Sequence, residues 1–477
     1  MWLIVAVILC LLLGYLIVEP AWNGARGWST ALFYSCLALC FGVGAFSVVF
    51  LIARALNATH IFKADLLAVT LLATLRLVAR RRRRLKFDIA QPSDSALTKF
   101  PRILLIIAFA VSICVAAYAL LGRVIAHPHG DGWDAFAIWN LHARFLFLGE
   151  SHWRDGFSNL IPWSHPDYPP LLPSAIAHFW TYLDTDATAI PAALSLGFTV
   201  ATATFLYASL AINRGHNSAM LGTLTLLATP FFIEQGAAQY ADIPMAFFFL
   251  AALVLLNQGE SIGSLRLLAL SGLAAGFAAW NKNEGLLFLL SAIIGQGLSL
   301  LLDKCSLGPR RVGRLIAFCC GAAPLLLVIL WYKHFLAPPG DLFASPSSMV
   351  GKMTTISRYW VILQWYGKEL LRFGGWWIIP LTVALPVLYF VFGRGQSDQY
   401  LTARHASIWT LGLTLAGYFA IYVITPNELY WHLRFSLNRL FLATWPCAIF
   451  LFFSSVSFRS LPESQNDPKD RPKYRLV

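Results

Sequence analysis

Long apolar segments recur along the whole chain, and short polar stretches separate them. A helix needs about 20 mainly apolar residues to cross the hydrocarbon core of a membrane. About twelve segments approach this length and are predicted to be transmembrane helices: 1–18, 30–53, 103–125, 189–212, 217–233, 242–257, 265–280, 285–302, 315–335, 374–392, 406–425 and 438–456. The pattern therefore predicts an all-α polytopic membrane protein, a bundle of about twelve transmembrane helices.

One further apolar stretch, residues 61–79, is interrupted by Lys63, Asp65 and Arg76. Charged side chains are costly in the middle of a membrane. An amphipathic helix lying on the membrane surface fits this stretch better than a transmembrane helix.

Composition supports a membrane protein and excludes a soluble one. Apolar residues make up 58% of the 477 residues and charged residues 12%, whereas a soluble domain has about 25% charged residues. The net charge of +13 does not indicate nucleic-acid binding. Its strongest cluster, Arg80 to Arg84, lies between predicted spans, where basic residues set topology and contact anionic headgroups.

The distribution of Lys and Arg predicts the orientation of the chain. With a cytoplasmic N-terminus, the inner segments hold 24 of the 36 Lys and Arg residues, as the positive-inside rule requires. Both termini are then predicted to be cytoplasmic. Residues 1–102 form two spans plus a basic amphipathic segment, 103–456 form the main transmembrane domain, and 457–477 form a basic tail.

In this orientation the largest polar loops, residues 126–188 and 337–373, lie outside the cytoplasm. The first loop begins with Asp131 and Asp134, which share a face if the segment is helical. Two such carboxylates can deprotonate a hydroxyl group or hold a divalent cation, or they are ordinary acids of a hydrated loop. Trp133 and neighbouring aromatic residues would hold the segment at the membrane interface.

The same loop continues into a stiff turn that contains His165, Asp167 and Tyr168. Three prolines in this turn fix the backbone, because proline locks φ and restricts the residue before it. These side chains either belong to a site or only shape the loop.

Other polar residues fall in outer turns near the ends of predicted spans. Asp242 begins a span, as an N-cap or as a site residue. Lys282 and Glu284 lie in one tight turn, where they pair with each other or where Lys282 binds a phosphate.

A last polar group precedes the final span and contains His432, Arg434 and Arg439. These residues are either anchors that reach the membrane interface or ligands of an anion, which arginine binds through two N–H groups. The 337–373 loop is also basic, with Lys352 and Arg358 among its cations, and favours an anionic substrate.

These motifs, in this order, resemble the GT-C superfamily of membrane glycosyltransferases over residues 103 to 456. The similar branch contains bacterial aminoarabinose transferases, protein O-mannosyltransferases and rhizobial galacturonosyltransferases. The matching features are Asp131 and Asp134 in the first outer loop, Pro169-Pro170-Leu171, Asp242-Ile243-Pro244, a looser turn from Lys282 to Gly285, and Arg434-Phe435. Residues 1–102 are not explained by this resemblance.

The resemblance implies a hexosyl or pentosyl transferase that takes its sugar from a polyprenyl-phosphate donor. The sugar would pass, with inversion, to an extracytoplasmic lipid, glycan or protein acceptor. Asp131 or Asp134 would accept the proton of the acceptor hydroxyl, and a second set of residues, Lys282, Arg434 and Arg439, would stabilise the departing phosphate. A third set would bind substrate or shape the loop: Trp133, His165, Asp167, Tyr168, Asp242, Glu284 and His432.

The resemblance implies no certain cofactor. A divalent metal ion stays an open alternative, with Asp131, Asp134 and His165 as the candidate ligands. Membrane lipids are expected partners, and nucleic acid is not.

Two other functions stay open as alternatives. A transporter or flippase of lipid-linked glycans suits twelve spans, but such proteins place ionisable groups near the middle of the membrane. An O-antigen-type ligase or polymerase also acts on lipid-linked glycans outside the cytoplasm, but its large loop usually falls late in the chain.

Overall fold

The computed structural model describes residues 1–21, 27–58, 60–79, 99–302, 309–340, 342, 346–376, 380–392 and 401–456. Eighteen α-helices lie within these ranges. They are α1 Trp2–Val18, α2 Trp28–Ala55, α3 Ile61–Ala79, α4 Lys99–Ala126, α5 Asn140–Leu148, α6 Leu171–Leu183, α7 Ala189–Arg214, α8 His216–Leu227, α9 Pro230–Ala237, α10 Asp242–Ile262, α11 Leu265–Asn281, α12 Asn283–Leu302, α13 Pro309–Phe335, α14 Pro346–Met353, α15 Ile356–Arg372, α16 Leu381–Phe392, α17 Leu401–Ile424 and α18 Leu429–Ser455. The basic cluster Arg80 to Arg84 and the predicted tail 457–477 lie outside the described residues.

Nine helices of the described residues are long and apolar enough to cross a membrane. These candidate spans are Trp2–Ala21, Trp28–Ala55, Pro101–Ala126, Ala189–Arg214, Asp242–Ile262, Asn283–Leu302, Val312–Phe335, His405–Ile424 and Leu429–Ser455. They confirm the predicted all-α polytopic membrane fold. The predicted count of twelve spans is not confirmed.

Three predicted spans are not among these nine helices. The segment 217–233 is broken into α8 and α9, because Pro230 begins a new helix and Thr229 before it has an extended backbone, as residues before proline usually do. The segment 265–280 is helical but forms only the 17-residue α11. In the third predicted span, 374–392, α16 begins at Leu381, and residues 377–379 lie outside the described residues.

Helix α10 lies at the centre of the bundle. All of its residues from Asp242 to Leu256 are buried, and it packs against α7, α11, α17 and α18. A helix that is apolar on every side belongs in the interior. Its burial places Asp242, the first residue of the helix, inside the protein at one end of the bundle.

Contacts between helix ends define two ends of the bundle. The loop end carries residues 127–188, and the far end carries the start of α8 and the turn before α11. At the far end, Trp28 stacks on His216 at 5.2 Å between ring centroids. At the loop end, Arg54 Nη2 donates a 3.0 Å hydrogen bond to the carbonyl of Glu150. Helix α2 therefore begins at the far end and finishes at the loop end.

Helices α1 and α3 run side by side in the same direction. The rings of Trp2 and Phe62 lie 5.7 Å apart at their beginnings. Near their other ends, Arg76 Nε donates a 2.7 Å hydrogen bond to the carbonyl of Leu16. This arrangement differs from the predicted surface helix, because α3 follows the length of α1 within the bundle.

The two ends of the described chain lie at opposite ends of the bundle. Trp2 is at the loop end with Phe62, while Arg214 at the end of α7 donates a 2.8 Å hydrogen bond to the carbonyl of Ser454 in α18. Residues 457–477 lie outside the described residues, so the prediction that both termini share one side of the membrane stays a prediction.

Glycines allow close backbone contact between α11 and α13. A Cβ atom on Gly272 would lie 1.9 Å from the carbonyl oxygen of Phe318, and one on Gly321 would lie 1.8 Å from that of Ala269. Small residues of this kind bring membrane helices together, since lipid provides no hydrophobic force between them.

We expect Gly272→Ala to destabilise the protein by about 1–3 kcal/mol, because the added methyl group must push two backbones apart. The matched control is Gly412→Ala in α17, where an added Cβ meets no atom within 4 Å. Thermal unfolding in detergent should show a lower midpoint for Gly272→Ala and no loss for Gly412→Ala. Equal midpoints for the two variants would contradict the close packing.

Candidate functional site

The beginning of the first loop is attached to the turn between α9 and α10. The backbone N–H of Asp131 donates to the carbonyl of Ala238 at 3.3 Å, and Gln239 Nε2 donates to the carbonyl of Pro128 at 3.1 Å. Gly132 has a φ of +97°, and a Cβ atom there would lie 2.5 Å from the Tyr240 hydroxyl. Glycine is required here both for its backbone conformation and for its lack of a side chain.

Arg439 of α18 joins this loop to α10. Its Nη1 donates a 2.7 Å hydrogen bond to Asp134 Oδ2, and its Nε donates a 2.8 Å hydrogen bond to Asp242 Oδ2. The guanidinium also lies over the ring of Tyr240, 4.7 Å from the centroid. Asp242 is fully buried and the Asp134 side chain is 22% exposed, so Arg439 binds two carboxylates that have little water around them.

Lys282 extends the same network towards α12. Its Nζ lies 3.3 Å from Asp242 Oδ1 and 3.0 Å from Glu284 Oε1. Burial lowers the pKa of Lys282, but the carboxylates of Asp242 and Glu284 outweigh burial and raise this pKa above its ordinary value. The ammonium group therefore stays protonated.

We call these five residues the charged cluster: Asp134, Arg439, Asp242, Lys282 and Glu284. Acidic and basic groups alternate along it, and it holds three acids and two bases. The cluster connects the first loop, the starts of α10 and α12, and the first half of α18. It lies at the loop end of the bundle.

Asp131 lies in a second ion network beside the charged cluster. Arg123, near the end of α4, donates from Nη1 to Asp131 Oδ2 at 2.9 Å and from Nη2 to Glu234 Oε1 at 3.1 Å. The side chains of Asp131 and Arg123 are each 37% exposed. The two predicted catalytic aspartates therefore pair with different arginines.

The proline-rich turn of the loop borders the charged cluster through Tyr168. The ring of Tyr168 lies 5.7 Å from Lys282 Nζ and stacks on His165 at 4.7 Å. Asp167 accepts a 2.7 Å hydrogen bond from Asn283 Nδ2, and Lys333 Nζ lies 3.5 Å from the same carboxylate. His165, Asp167 and Tyr168 thus fix the loop over the start of α12.

Three further predicted site residues also lie outside the charged cluster. Arg434 is exposed, with its guanidinium over Phe435 at 5.6 Å, and a five-residue separation from Arg439 turns it to another face of α18. His432 Nδ1 lies 2.8 Å from Thr425 Oγ1, at the turn between α17 and α18. Trp133 is 57% exposed.

Two basic residues of the second loop bind backbone. Lys352 Nζ donates to the carbonyl of Thr425 at 2.8 Å, and Arg358 Nε donates to that of Val423 at 3.0 Å. They satisfy carbonyls at the end of α17, which favour cations. This contact explains their positive charge without a ligand.

The candidate metal ligands are directed to separate partners. Asp131 pairs with Arg123, Asp134 pairs with Arg439, and His165 stacks on Tyr168. Within the ranges that the structure describes, no group of three or more His, Cys, Asp or Glu residues could hold a metal ion. The side chains present do not form the expected ligand set, and no step is assigned to a metal.

The sequence pattern assigned no site role to Arg123 or Lys333. Each lies in the last turn of a long apolar helix, and the pattern places both inside predicted spans. A charged residue close to the end of an apolar segment is the signal that would have found them, because such residues usually have a partner.

His142 is a buried residue of the first loop that contacts the segment around Ser164. Its Nε2 lies 3.0 Å from Ser164 Oγ, and this hydroxyl donates to the carbonyl of Ile161 at 2.8 Å. Burial lowers the pKa of His142 to about 4. The folded loop therefore holds the neutral imidazole.

One comparison with known proteins gives a match. Residues 167–332 match the family model described as dolichyl-phosphate-mannose-protein mannosyltransferase. The segment contains Asp242, Lys282 and Glu284 of the charged cluster, whereas Asp134 and Arg439 lie outside it. The match supports the resemblance to the GT-C superfamily. No curated protein and no solved structure matches the chain.

We expect the segment around Ser164 to open more readily as the pH falls from about 6.5 to about 4. In this range His142 binds a proton only when the segment is open. Lowering the pH therefore shifts the equilibrium towards the open segment. Hydrogen exchange of residues 158–166, corrected for its intrinsic pH dependence, measures this. His142→Gln cannot be protonated and should show no such trend; the same trend in this variant would contradict the role of His142.

Proposed function

We propose that the chain is a membrane glycosyltransferase of the GT-C type, that it uses a lipid-linked sugar donor, and that its reaction takes place at the charged cluster. The donor is a polyprenyl-phosphate sugar, and the acceptor is a hydroxyl group outside the cytoplasm. The sugar is transferred with inversion at the anomeric carbon. The proposed membrane is a bacterial inner membrane, since the similar branch contains bacterial transferases, and the excess of Lys and Arg in the predicted inner segments gives its cytoplasmic side.

One observation carries this proposal: Arg439 binds Asp134 and Asp242 at the same time. It joins three parts of the chain that the family resemblance singled out separately, namely the first loop, the Asp-x-Pro step and the segment before the last span. Lys282, from a fourth motif, contacts the same Asp242. Such convergence of weak motifs on one buried network supports a shared reaction site.

Asp134 is the proposed general base. It accepts the proton of the acceptor hydroxyl, and the oxygen attacks the anomeric carbon while the bond from that carbon to the phosphate oxygen breaks. The electron pair leaves with the polyprenyl phosphate. Asp134 is chosen over Asp131 because it belongs to the charged cluster and Asp131 does not. Asp131 and Arg123 then position the start of the loop.

Lys282 and Arg439 are the proposed partners of the leaving phosphate. Negative charge grows on the phosphate as the bond breaks, and fixed cations in a site with little water stabilise it most effectively. Both cations are held in place by carboxylates before the donor arrives. Arg434, exposed on another face of α18, is proposed to meet the donor phosphate at the membrane surface.

The remaining predicted residues are proposed to shape the site. His165 and Asp167 hold the turn that brings Tyr168 next to Lys282, and Glu284 orients Lys282. Trp133 lies at the membrane interface, and His432 fixes the turn before α18. The matched family is described by mannose transfer from dolichyl phosphate to protein, so a hexosyl phosphate lipid is the first donor to test.

A transporter is the main alternative from another class of protein. Its ionisable groups would be expected near the middle of the membrane. Four residues of the charged cluster instead lie in the first loop or where α10 and α12 begin, and the fifth, Arg439, is the eleventh residue of α18. This position favours a reaction at the membrane boundary.

We expect Asp134→Asn to lower the rate of transfer by about 10²–10⁴-fold, the usual contribution of a general base. The assay follows release of polyprenyl phosphate from a polyprenyl-phosphate hexose by the purified protein. Asp155→Asn, an exposed acid of the same loop, is the matched control and should retain activity. Full activity in both Asp134→Asn and Asp131→Asn would refute the assignment of the base to this loop.

We expect Arg439→Lys to lower activity by at least about tenfold, although the positive charge is kept. A lysine is a point charge and cannot hold two carboxylates as a planar guanidinium does. Arg154→Lys in the first loop, where the guanidinium lies over the neighbouring Trp153, is the control. If Arg439→Lys is as active as this control, the charged cluster does not depend on the geometry of Arg439.

A further inference from the structure

Helix α3 has the length and position of a transmembrane helix. Its 19 residues extend over about 28 Å, close to the thickness of the hydrocarbon core. It lies beside α1, which is itself a candidate span. We infer that α3 crosses the membrane and that the N-terminus of the chain therefore faces the same side as the charged cluster.

The contacts of α3 are distributed along its whole length. At the loop end, Phe62 meets Trp2, and Asp65 contacts His178 and Tyr182 of α6. At the far end, Arg76 donates hydrogen bonds to the carbonyls of Leu16 and Ile17. A helix lying flat on the surface would not follow a span from its first turn to its last.

The charge of Asp65 is the main argument against a crossing helix, and the structure answers it. Asp65 and His178 are both fully buried, with 3.0 Å between Oδ2 and Nε2. His178 Nδ1 lies 3.0 Å from the carbonyl of Phe46, and because a carbonyl only accepts, this nitrogen carries a proton. The contact between Nε2 and Oδ2 then requires one more proton, shared by the two residues.

The Asp65–His178 pair is therefore neutral wherever the shared proton lies. Either a carboxylate faces an imidazolium, or a carboxylic acid faces a neutral imidazole. Tyr182 adds a 2.6 Å hydrogen bond from its hydroxyl to the same Oδ2. A neutral, hydrogen-bonded pair removes most of the cost of placing an aspartate inside a membrane protein.

The other two charges of α3 lie near its ends. Lys63 is in the first turn and is exposed, so its long side chain can reach the membrane boundary. Arg76 is in the last turn and binds the carbonyls at the end of α1. No charge of α3 is left unsatisfied in the middle of the membrane.

The positive-inside rule is compatible with this topology. If α3 crosses the membrane and the N-terminus lies outside, 23 of the 36 Lys and Arg residues in the sequence fall on the cytoplasmic side. If α3 lies on the surface and the N-terminus is cytoplasmic, 24 do. All segments after Ala79 keep the same side in both cases. Counting charges therefore cannot choose between the two topologies, whereas the contacts of α3 can.

The crossing has a consequence for the candidate site. Asp65 holds α6 of the first loop, and Arg54 at the end of α2 holds Glu150 of the same loop. Helices α1 to α3 thus support the loop that carries Asp134 from within the membrane. Residues 1–79, which the family resemblance left unexplained, are assigned this positioning role.

Cysteine labelling in right-side-out membrane vesicles tests the inference without any activity assay. In a cysteine-free full-length background, Leu56→Cys lies between α2 and α3, Ser151→Cys lies in the first loop, and Leu265→Cys lies at the far end. All three positions are exposed. A membrane-impermeant maleimide should label Leu56→Cys and Ser151→Cys alike, and Leu265→Cys only after the vesicles are opened.

Two results would overturn the inference. In one, Leu56→Cys labels together with Leu265→Cys and apart from Ser151→Cys. In the other, protease added on the side where Ser151→Cys is labelled leaves an N-terminal epitope tag intact. We expect protease on that side to digest the tag. Neither result depends on transfer activity, so a failure here is distinct from a failure of the proposed reaction.

Discussion

The ion pairs of Arg439 are the interactions on which the rest of the site depends. Two carboxylates with little access to water are stable only if a cation is held between them, because an unpaired buried charge is very costly. Arg439 meets this need with one planar group that reaches Asp134 and Asp242 in different directions. The position of α18, the start of α10 and the beginning of the first loop are therefore linked by one side chain.

The burial of α10 explains why this cluster is so tightly defined. The helix is enclosed on all sides, so Asp242 cannot turn towards water, and its partners must come to it. Lys282, between α11 and α12, contacts one of its oxygens, and Arg439 of α18 contacts the other. The polar network is thus a consequence of placing one aspartate at the tip of a buried apolar helix, and the chemistry proposed for the site uses cations that the fold already has to provide.

The apolar pattern predicted the fold class well, because each transmembrane helix must satisfy its own backbone and therefore appears in the sequence as a continuous segment. The pattern also identified four residues of the charged cluster as polar positions at span ends on the outer face of the membrane. It identified Arg439 as a polar position before the last span. It did not predict their partners. Asp131 and Asp134 are neighbours in sequence but bind Arg123 and Arg439, and the second of these is 305 positions away from Asp134. Pairings over such distances follow from helix packing, which a local pattern does not contain.

The N-terminal region shows a second limit of the sequence pattern, which has a different physical origin. A rule that counts charges treats each charged residue as if it were alone in the membrane, and by that rule α3 belongs on the surface. Asp65 is instead paired with His178 from a loop 113 residues later, and Arg76 with carbonyls of α1. The cost of a charge depends on the partner it finds, so a helix with three charges can lie among spans when the rest of the fold supplies those partners. The same principle governs the charged cluster, where five ionised side chains are tolerated because each lies against one of opposite charge.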